Sequence, residues 1–280
     1  MKISKYLIPK NYVWFVTMKC LNFCFPKGKI KILQTNYTGV EILIRANEDV
    51  GKAVLAKRFE RKELDYIKKQ LPSNAIFLDI GSNIGLFSLV MASTFNDAQV
   101  HAFDPIKLNN TLLSSSTEIN GLKNIIINET CVGDFDGVVE FSIAEDSAYS
   151  SIRDSGRKAE LKKIKLPILK LDTYIQQEKL QKIDFIKIDV EGAERLVIEG
   201  ATQLFSSSAL RPRLMMIELC DRNLRAFNTS LVEVIELMIS FDYKPYVLHK
   251  DSLIEFKNNK HANIIENIFF KDTKVIKTIQ

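Results

Sequence analysis

From Ala75 onward the chain alternates short apolar runs with stretches of helical spacing, and this rhythm constrains the fold more than any other feature. The runs are IFLDI, QVHAF, IIIN, IDFIKID, RLMMIEL, YKPYVL and NIIENIFF, with helical stretches near 85–95, 107–120, 193–205 and 229–240. Alternation of this kind predicts a mainly parallel sheet covered on both faces. Short connections and right-handed crossovers leave a doubly wound, Rossmann-like α/β sheet as the simplest topology. One segment departs from the rhythm. Between Val138 and Leu169, VVEFSIA and KIKLPIL flank the polar stretch EDSAYSSIRDSGRKAELK. A polar insertion inside a compact domain is usually functional or disordered, and this one (142–165) reads as a candidate lid.

Upstream, KIKILQTNYTGVEILIR alternates and turns at Thr38-Gly39, which reads as a hairpin. Residues 50–71 have helical spacing, with Val54, Leu55, Phe59, Leu64 and Ile67 among charges, and Pro72 stops the helix. Residues 1–72 are therefore expected to form an extension preceding a main domain at 73–280. At 280 residues and 46% hydrophobic, the chain suits one large domain with a substantial core. Its 39 basic and 34 acidic residues give a net charge of +5, too mild and scattered for a nucleic-acid footprint. Cys20, Cys24, Cys131 and Cys220 form no C-x-x-C pair, which argues against zinc or a disulfide framework and suits the reducing cytoplasm. Residues 1–40 carry seven lysines and no acid around YVWFVTM and CLNFCF. Their longest apolar run falls far short of the ~20 residues that span a bilayer. Such a segment (1–29) packs as a helix on the domain or on a second copy in a homo-oligomer, or lies on the inner face of an anionic membrane.

In an open parallel sheet, ligands sit beyond the carboxyl ends of the strands. Acids stand at those ends: Asp79, Asp104, Asp189 and Glu218. Each follows a run buried on both faces, where a charge is costly unless paired or liganded. The first lies in FLDIGSNIGLF, where Gly81 and Gly85 bracket Asn83. A dinucleotide turn needs glycine where Asn83 stands so that pyrophosphate can approach the backbone, so pyrophosphate is disfavoured. What remains is a glycine-bounded bend at a helix N-terminus, suited to a carboxylate, with Asp79 nearby to suit an ammonium. A ligand with both groups is an amino acid, and the methionine end of S-adenosylmethionine is one. Asp104 stands 23 residues after Gly81, the spacing of an acid that binds ribose hydroxyls, or of a cap for the helix after Pro105.

Together and in this order, FLDIGSNIGLFSLV, VHAFDPIKLNN, TCVGDFDGVVEF, SAYSSIR and IDFIKIDVEGAERLVIEGA resemble the FkbM family of S-adenosylmethionine-dependent methyltransferases. The likeness runs from about Ala75 to Leu219, with FIKIDVEGAE its most specific part. It implies a class I methyltransferase fold, a seven-stranded sheet with the last strand antiparallel, and O-methylation of a sugar or natural-product hydroxyl. By resemblance, Asp79, Gly81, Asn83 and Gly85 line the methionine end, Asp104 holds the ribose, and Cys131, Val132 and Asp134 lie along the adenine. Many relatives have Glu where Asp104 stands, and the shorter acid still reaches a diol. Ser150 and Ser151 match a family feature and are expected to bind the acceptor, a small molecule or glycan rather than a nucleic acid.

Methyl transfer requires the acceptor oxygen to be held in line and relieved of its proton. Asp189 is the first candidate for that task, Glu191 the second and Glu218 a weaker third. Asp189 and Glu191 equally suit the start of the helix near Ala193. The three acids could instead gather a hard divalent cation, which spacing does not establish; no metal is expected. His101, inside a strand, reads as packed or half-exposed, His261 as a loop residue, and His249, before the last strand, as a surface histidine or a base at the site's edge. Two other readings are a nicotinamide-dependent oxidoreductase, disfavoured by Asn83, and a non-catalytic scaffold docked through the basic N-terminus.

Overall fold

In the computed structural model, residues 10–26, 31–153, 159–257 and 265–274 are described. Helix α1 (Lys10–Cys24) leads into the predicted hairpin of β1 (Ile32–Tyr37) and β2 (Val40–Arg45), which turns at Thr38 and Gly39, both with positive φ. The helix expected over 50–71 is two: α2 (Asp49–Leu55) and α3 (Arg61–Gln70). The break places Lys57 and Glu60 at φ 54° and 44°, in the left-handed region. Side-chain periodicity runs across this break without marking it, because residues on both sides bury toward the same core.

The main elements then follow in order: β3 (Ile76–Ile80), α4 (Leu86–Thr94), β4 (Gln99–Phe103), α5 (Lys107–Ile119), β5 (Ile125–Asn128), β6 (Cys131–Gly133), β7 (Gly137–Ala144) and β8 (Glu160–Lys170). After them come α6 (Leu171–Gln177), β9 (Phe185–Ile188), α7 (Glu194–Glu199), α8 (Thr202–Ser206), β10 (Leu214–Cys220), α9 (Asp221–Ala226), α10 (Leu231–Ser240), β11 (Tyr243–His249), β12 (Ser252–Glu255) and β13 (Ile265–Asp272). The large sheet has the order β12-β11-β13-β10-β9-β3-β4-β5. Strands β9, β3, β4 and β5 run parallel to β10, and β13 enters antiparallel between β10 and β11. This is the Rossmann-like class I methyltransferase arrangement, with β13 as the expected antiparallel last strand. It carries an eighth strand, because SLIE folds back on β11 through a turn at Lys250 and pairs along the sheet edge.

Alternation along the strands divides two cores. Leu78, Ile186, Ile188, Met215 and Ile217 face one side and pack with Val197, Val234 and Met238. Phe77, Val100, Phe185 and Met216 face the other, where α4 and the hairpin residues Tyr37, Ile42 and Ile44 close over them. Each such large side chain contributes about 1.5–3 kcal/mol on burial. His101 is fully buried, with Nδ1 2.7 Å from the Tyr174 hydroxyl, and burial lowers its pKa to about 4, so it is a core group. The insertion forms its own three-stranded sheet, β6-β8-β7. A bridge between Ser142 and Ser151 bends the start of the polar stretch back over the main sheet's carboxyl edge. Residues 154–158 of the polar stretch, and His261, lie outside the described residues. All four cysteines are free, Cys20 and Cys24 exposed and Cys131 and Cys220 buried. Among the described residues no helix is long and apolar enough to cross a membrane. At the end of α1, Phe23 is exposed while Phe25 is partly buried against the core.

Candidate functional site

The carboxyl ends of β3, β4, β9 and β10 open into a cavity of about 280 Å³. Its floor is the turn after β3. Gly81 and Gly85 have φ of 78° and 79° and Asn83 has 51°, a conformation asparagine tolerates because its side chain bonds locally. Here Asn83 Oδ1 accepts from Ile84 N at 2.8 Å. The amides of Gly81 and Ser82 donate to Phe103 O, and that of Gly85 to Ser82 O. The backbone N–H groups of residues 81–85 are thus satisfied within the fold, against the expectation that they stand open to an anion.

Asp104 is the hinge between this turn and α5. One carboxyl oxygen accepts from Ile106 N at 2.8 Å and Asn109 Nδ2 at 2.9 Å, while the other accepts from Asn83 N at 3.1 Å. The acid both ties down the residues leading into α5, whose N-cap is Ile106, and lines the cavity. Burial pushes its pKa up to about 7 even against these bonds. Asn109 is held in turn by Arg45, whose guanidinium also bonds Ser147 of the insertion and pairs with Glu48 at 3.1 Å.

The other pole of the cavity is acidic. Carboxylate oxygens of Asp189, Glu191 and Glu218 lie within 4.8 Å of one another. Asp189 Oδ2 is 3.0 Å from Lys187 Nζ, and Lys187 also faces Asp79 Oδ1 at 3.8 Å. Burial opposes the charge on Lys187, yet Asp189, Asp79 and Glu60 together hold its ammonium above the ordinary lysine range. Glu218 is driven well above the usual carboxyl range by burial, then by Asp189 and Glu191. The neutral form of Glu218 is thereby favoured, and its carboxyl hydrogen-bonds Asp189. Glu191 sits at φ 57° in a turn clamped by Glu194, whose Oε1 accepts from Val190 N and Gly192 N. Asn223 Nδ2 bonds the Glu191 carboxylate. The turn is thus held by Glu194, and Asp189 is paired across to Lys187.

Gly81, Asn83, Asp104, Cys131, Val132, Ser150, Asp189, Glu191 and Glu218 all line the one cavity. Others named from the sequence do not. Asp79 is fully buried behind the turn, its Oδ2 taken by Ser88 N and Oγ and its Oδ1 turned to Lys187, because a lone carboxylate inside the sheet needs both donors. Gly85 faces α5, where a Cβ would meet Leu113 at 2.2 Å, so it serves helix packing. Asp134 is exposed beyond β6. Ser151 is buried and donates to Val190 O at 3.0 Å, tying the insertion to the acidic turn. His249 is exposed in the β11–β12 turn, and antiparallel β13 separates its strand from β10. Two wall residues escaped the sequence reading. Lys187 stands two residues before Asp189 in an apolar strand, the same-face spacing, and was findable on that ground. Glu60, in the α2–α3 break, carries no local signal.

The family model for the methyltransferase FkbM domain matches residues 79–245. The chain is 28% identical over 188 residues to the AMB antimetabolite synthetase AmbE of Pseudomonas aeruginosa, covering 54% of this chain and 9% of that one. It is 25% identical over 162 residues to methyltransferase sdnD of Sordaria araneosa, covering 48% of this chain and 62% of that one. It therefore spans less than two thirds of either relative. Among solved structures, the SAM dependent methyltransferase from Agrobacterium tumefaciens aligns at a TM-score of 0.47 and 13% identity, over 88% of this chain and 71% of that one.

Proposed function

Since the chain belongs to the FkbM methyltransferase domain family, we propose that it transfers a methyl group from S-adenosylmethionine to a hydroxyl of a sugar, glycan or related small molecule. The observation that carries this reading is the single cavity that joins the glycine turn and Asp104 at one pole to the acids of β9 and β10 at the other. The residues present fit the donor. Asp104 Oδ2 accepts one bond within the fold and keeps a lone pair for a ribose hydroxyl. Ser82 Oγ is buried on the cavity wall without a partner, a cost that a bound ligand relieves. Cys131 and Val132 give an apolar slot for a base, and burial pushes the Cys131 thiol up to about 12, which keeps it neutral and unreactive there.

When bound, the donor supplies an electrophilic methyl group on a sulfonium. The remaining work falls to the chain. Asp189, paired with Lys187, accepts a hydrogen bond from the acceptor's O–H and aims its oxygen; Glu218 bonds Asp189, Glu194 holds the turn, and Ser150 of the insertion lines the same cavity. Orientation of this kind supplies much of the barrier lowering in a displacement with little covalent chemistry by the protein.

Calorimetric titration with S-adenosylhomocysteine tests the reading: saturable binding is expected, and no heat at millimolar ligand overturns it. Asp104→Ala is expected to weaken that binding by about tenfold, the loss of one hydrogen bond from a ribose hydroxyl to a carboxylate. Asp189→Asn is expected to leave it within about twofold while lowering turnover on a hydroxylated acceptor by about 100-fold, the low end for a proton-handling group. An Asp189→Asn enzyme of full activity removes that residue from the reaction.

A further inference from the structure

The amino-acid end of the donor presents an ammonium, and Asp79, the acid nearest the glycine turn in sequence, does not line the cavity: its Oδ2 accepts from Ser88 and its Oδ1, without a hydrogen bond, faces Lys187 at 3.8 Å. The cavity wall offers another. Glu60 enters it from the break between α2 and α3. Its Oε1 accepts from Asn267 Nδ2 of β13 at 3.0 Å, while its Oε2 is buried with no hydrogen-bond partner. A buried carboxylate oxygen left unbonded is costly unless a ligand completes it. The backbone adds to that cost, since a left-handed φ of 44° is unfavourable for a glutamate and persists only where the surroundings impose it. Strain and an unbonded acid at one residue of a cavity wall mark a position shaped for a ligand.

We propose that Glu60 binds the ammonium group of the methyl donor, completing the methionine-end pocket from outside the segment matched by the family model. The inference rests on the donor reading above. Its geometry is consistent with the neighbours: Lys187 Nζ, within electrostatic reach of Glu60, is 3.4 Å from Gly81 O on the turn itself. Burial raises the Glu60 carboxyl to about 7; Lys187 and the Asn267 bond lower it, while Asp189 and Glu63 raise it. A cation brought to Oε2 favours the ionised form, so donor binding and Glu60 ionisation reinforce each other. Lys187 is the cation that Glu60, Asp79 and Asp189 share.

The test uses the full chain and three adenosyl thioethers: S-adenosylhomocysteine, its decarboxylated analogue, which keeps the ammonium, and methylthioadenosine, which lacks both groups. Glu60→Gln, close in shape to the native side chain, is expected to weaken the two ammonium ligands by 10- to 100-fold and to leave methylthioadenosine unchanged within about twofold. Unchanged methylthioadenosine affinity also reports an intact fold. Equal affinities of wild type and variant for the ammonium ligands overturn the inference. So does a parallel loss of all three ligands, which assigns Glu60 to holding β13 through Asn267. Wild-type protein that binds none of the three overturns the donor reading and this inference with it, whereas wild type that binds all three while the variant matches it overturns this inference alone.

Discussion

Gly81→Ala is expected to destabilise the protein by about 4 kcal/mol or more, enough to leave little native protein at room temperature if the total is ordinary. Two independent costs meet at this position. The residue has φ 78°, which for an alanine costs about 1–2 kcal/mol. A Cβ there would also lie 1.7 Å from the carbonyl oxygen of Asp189. That obstacle is main chain, and it cannot swing aside as a side chain would. Asp189 N is itself bonded to Ile80 O at 2.9 Å, so relief requires β3 and β9 to part at the end where the cavity opens. Gly39→Ala is the control, since its φ of 94° carries the conformational cost but nothing lies within 4 Å of the new atom. Urea unfolding of the pair separates the effects: a Gly81→Ala midpoint no lower than that of Gly39→Ala would refute the close approach.

Replacing Lys187 with methionine is expected to cost about 3–5 kcal/mol at pH 8, because it strands Asp79, Glu60 and Asp189 without their cation. The loss should shrink as the solution is acidified. Burial already raises the carboxyls of Glu60 and Asp79 above their ordinary values, and removing the lysine, which lowers both, raises them further. A group whose folded pKa lies above its unfolded value contributes stability below the unfolded pKa and loses it as pH rises through the folded one. With Glu60 at about 7 before the change, the deficit grows between pH 5 and pH 8. Chemical denaturation of both proteins at those two pH values measures it. A deficit that is the same at both, or larger at pH 5, excludes an electrostatic role for the lysine.

Much of this architecture is legible in the sequence because its strands are short, apolar and capped by acids. All seven predicted strands of the main sheet are present, and β7 and β8 flank the insertion as VVEFSIA and KIKLPIL suggest. The elements missed are those whose signal is weak for physical reasons. Helices α6 and α9 are seven and six residues long, too short for a helical period to show. Strand β12 has four residues at the sheet edge. The acids at strand ends were readable as a set, but their partition was not. Asp79 and Asp104 follow similar runs, yet Asp79 is sealed behind the turn and Asp104 faces the cavity. Which of two such acids meets the ligand depends on the partners that other strands bring, here Lys187 and Ser88 for Asp79. Glu60 was out of reach for the same reason: apart from Glu63, the groups that act on it, Lys187, Asp189 and Asn267, come from β9, the turn after it and β13, far along the chain.

The hairpin and α3 close one of the two cores, with Tyr37, Ile42, Ile44, Leu64 and Ile67 buried against α4 and the sheet. Recognition by likeness and folding therefore have different boundaries in this chain. A polypeptide begun at residue 73 would keep every signature by which the family is identified, yet it would lay bare one flank of its own sheet and lack a wall of its cavity. Residues before 73 thus supply both a cover for the sheet and part of the cavity wall, Val50, Phe59 and Glu60.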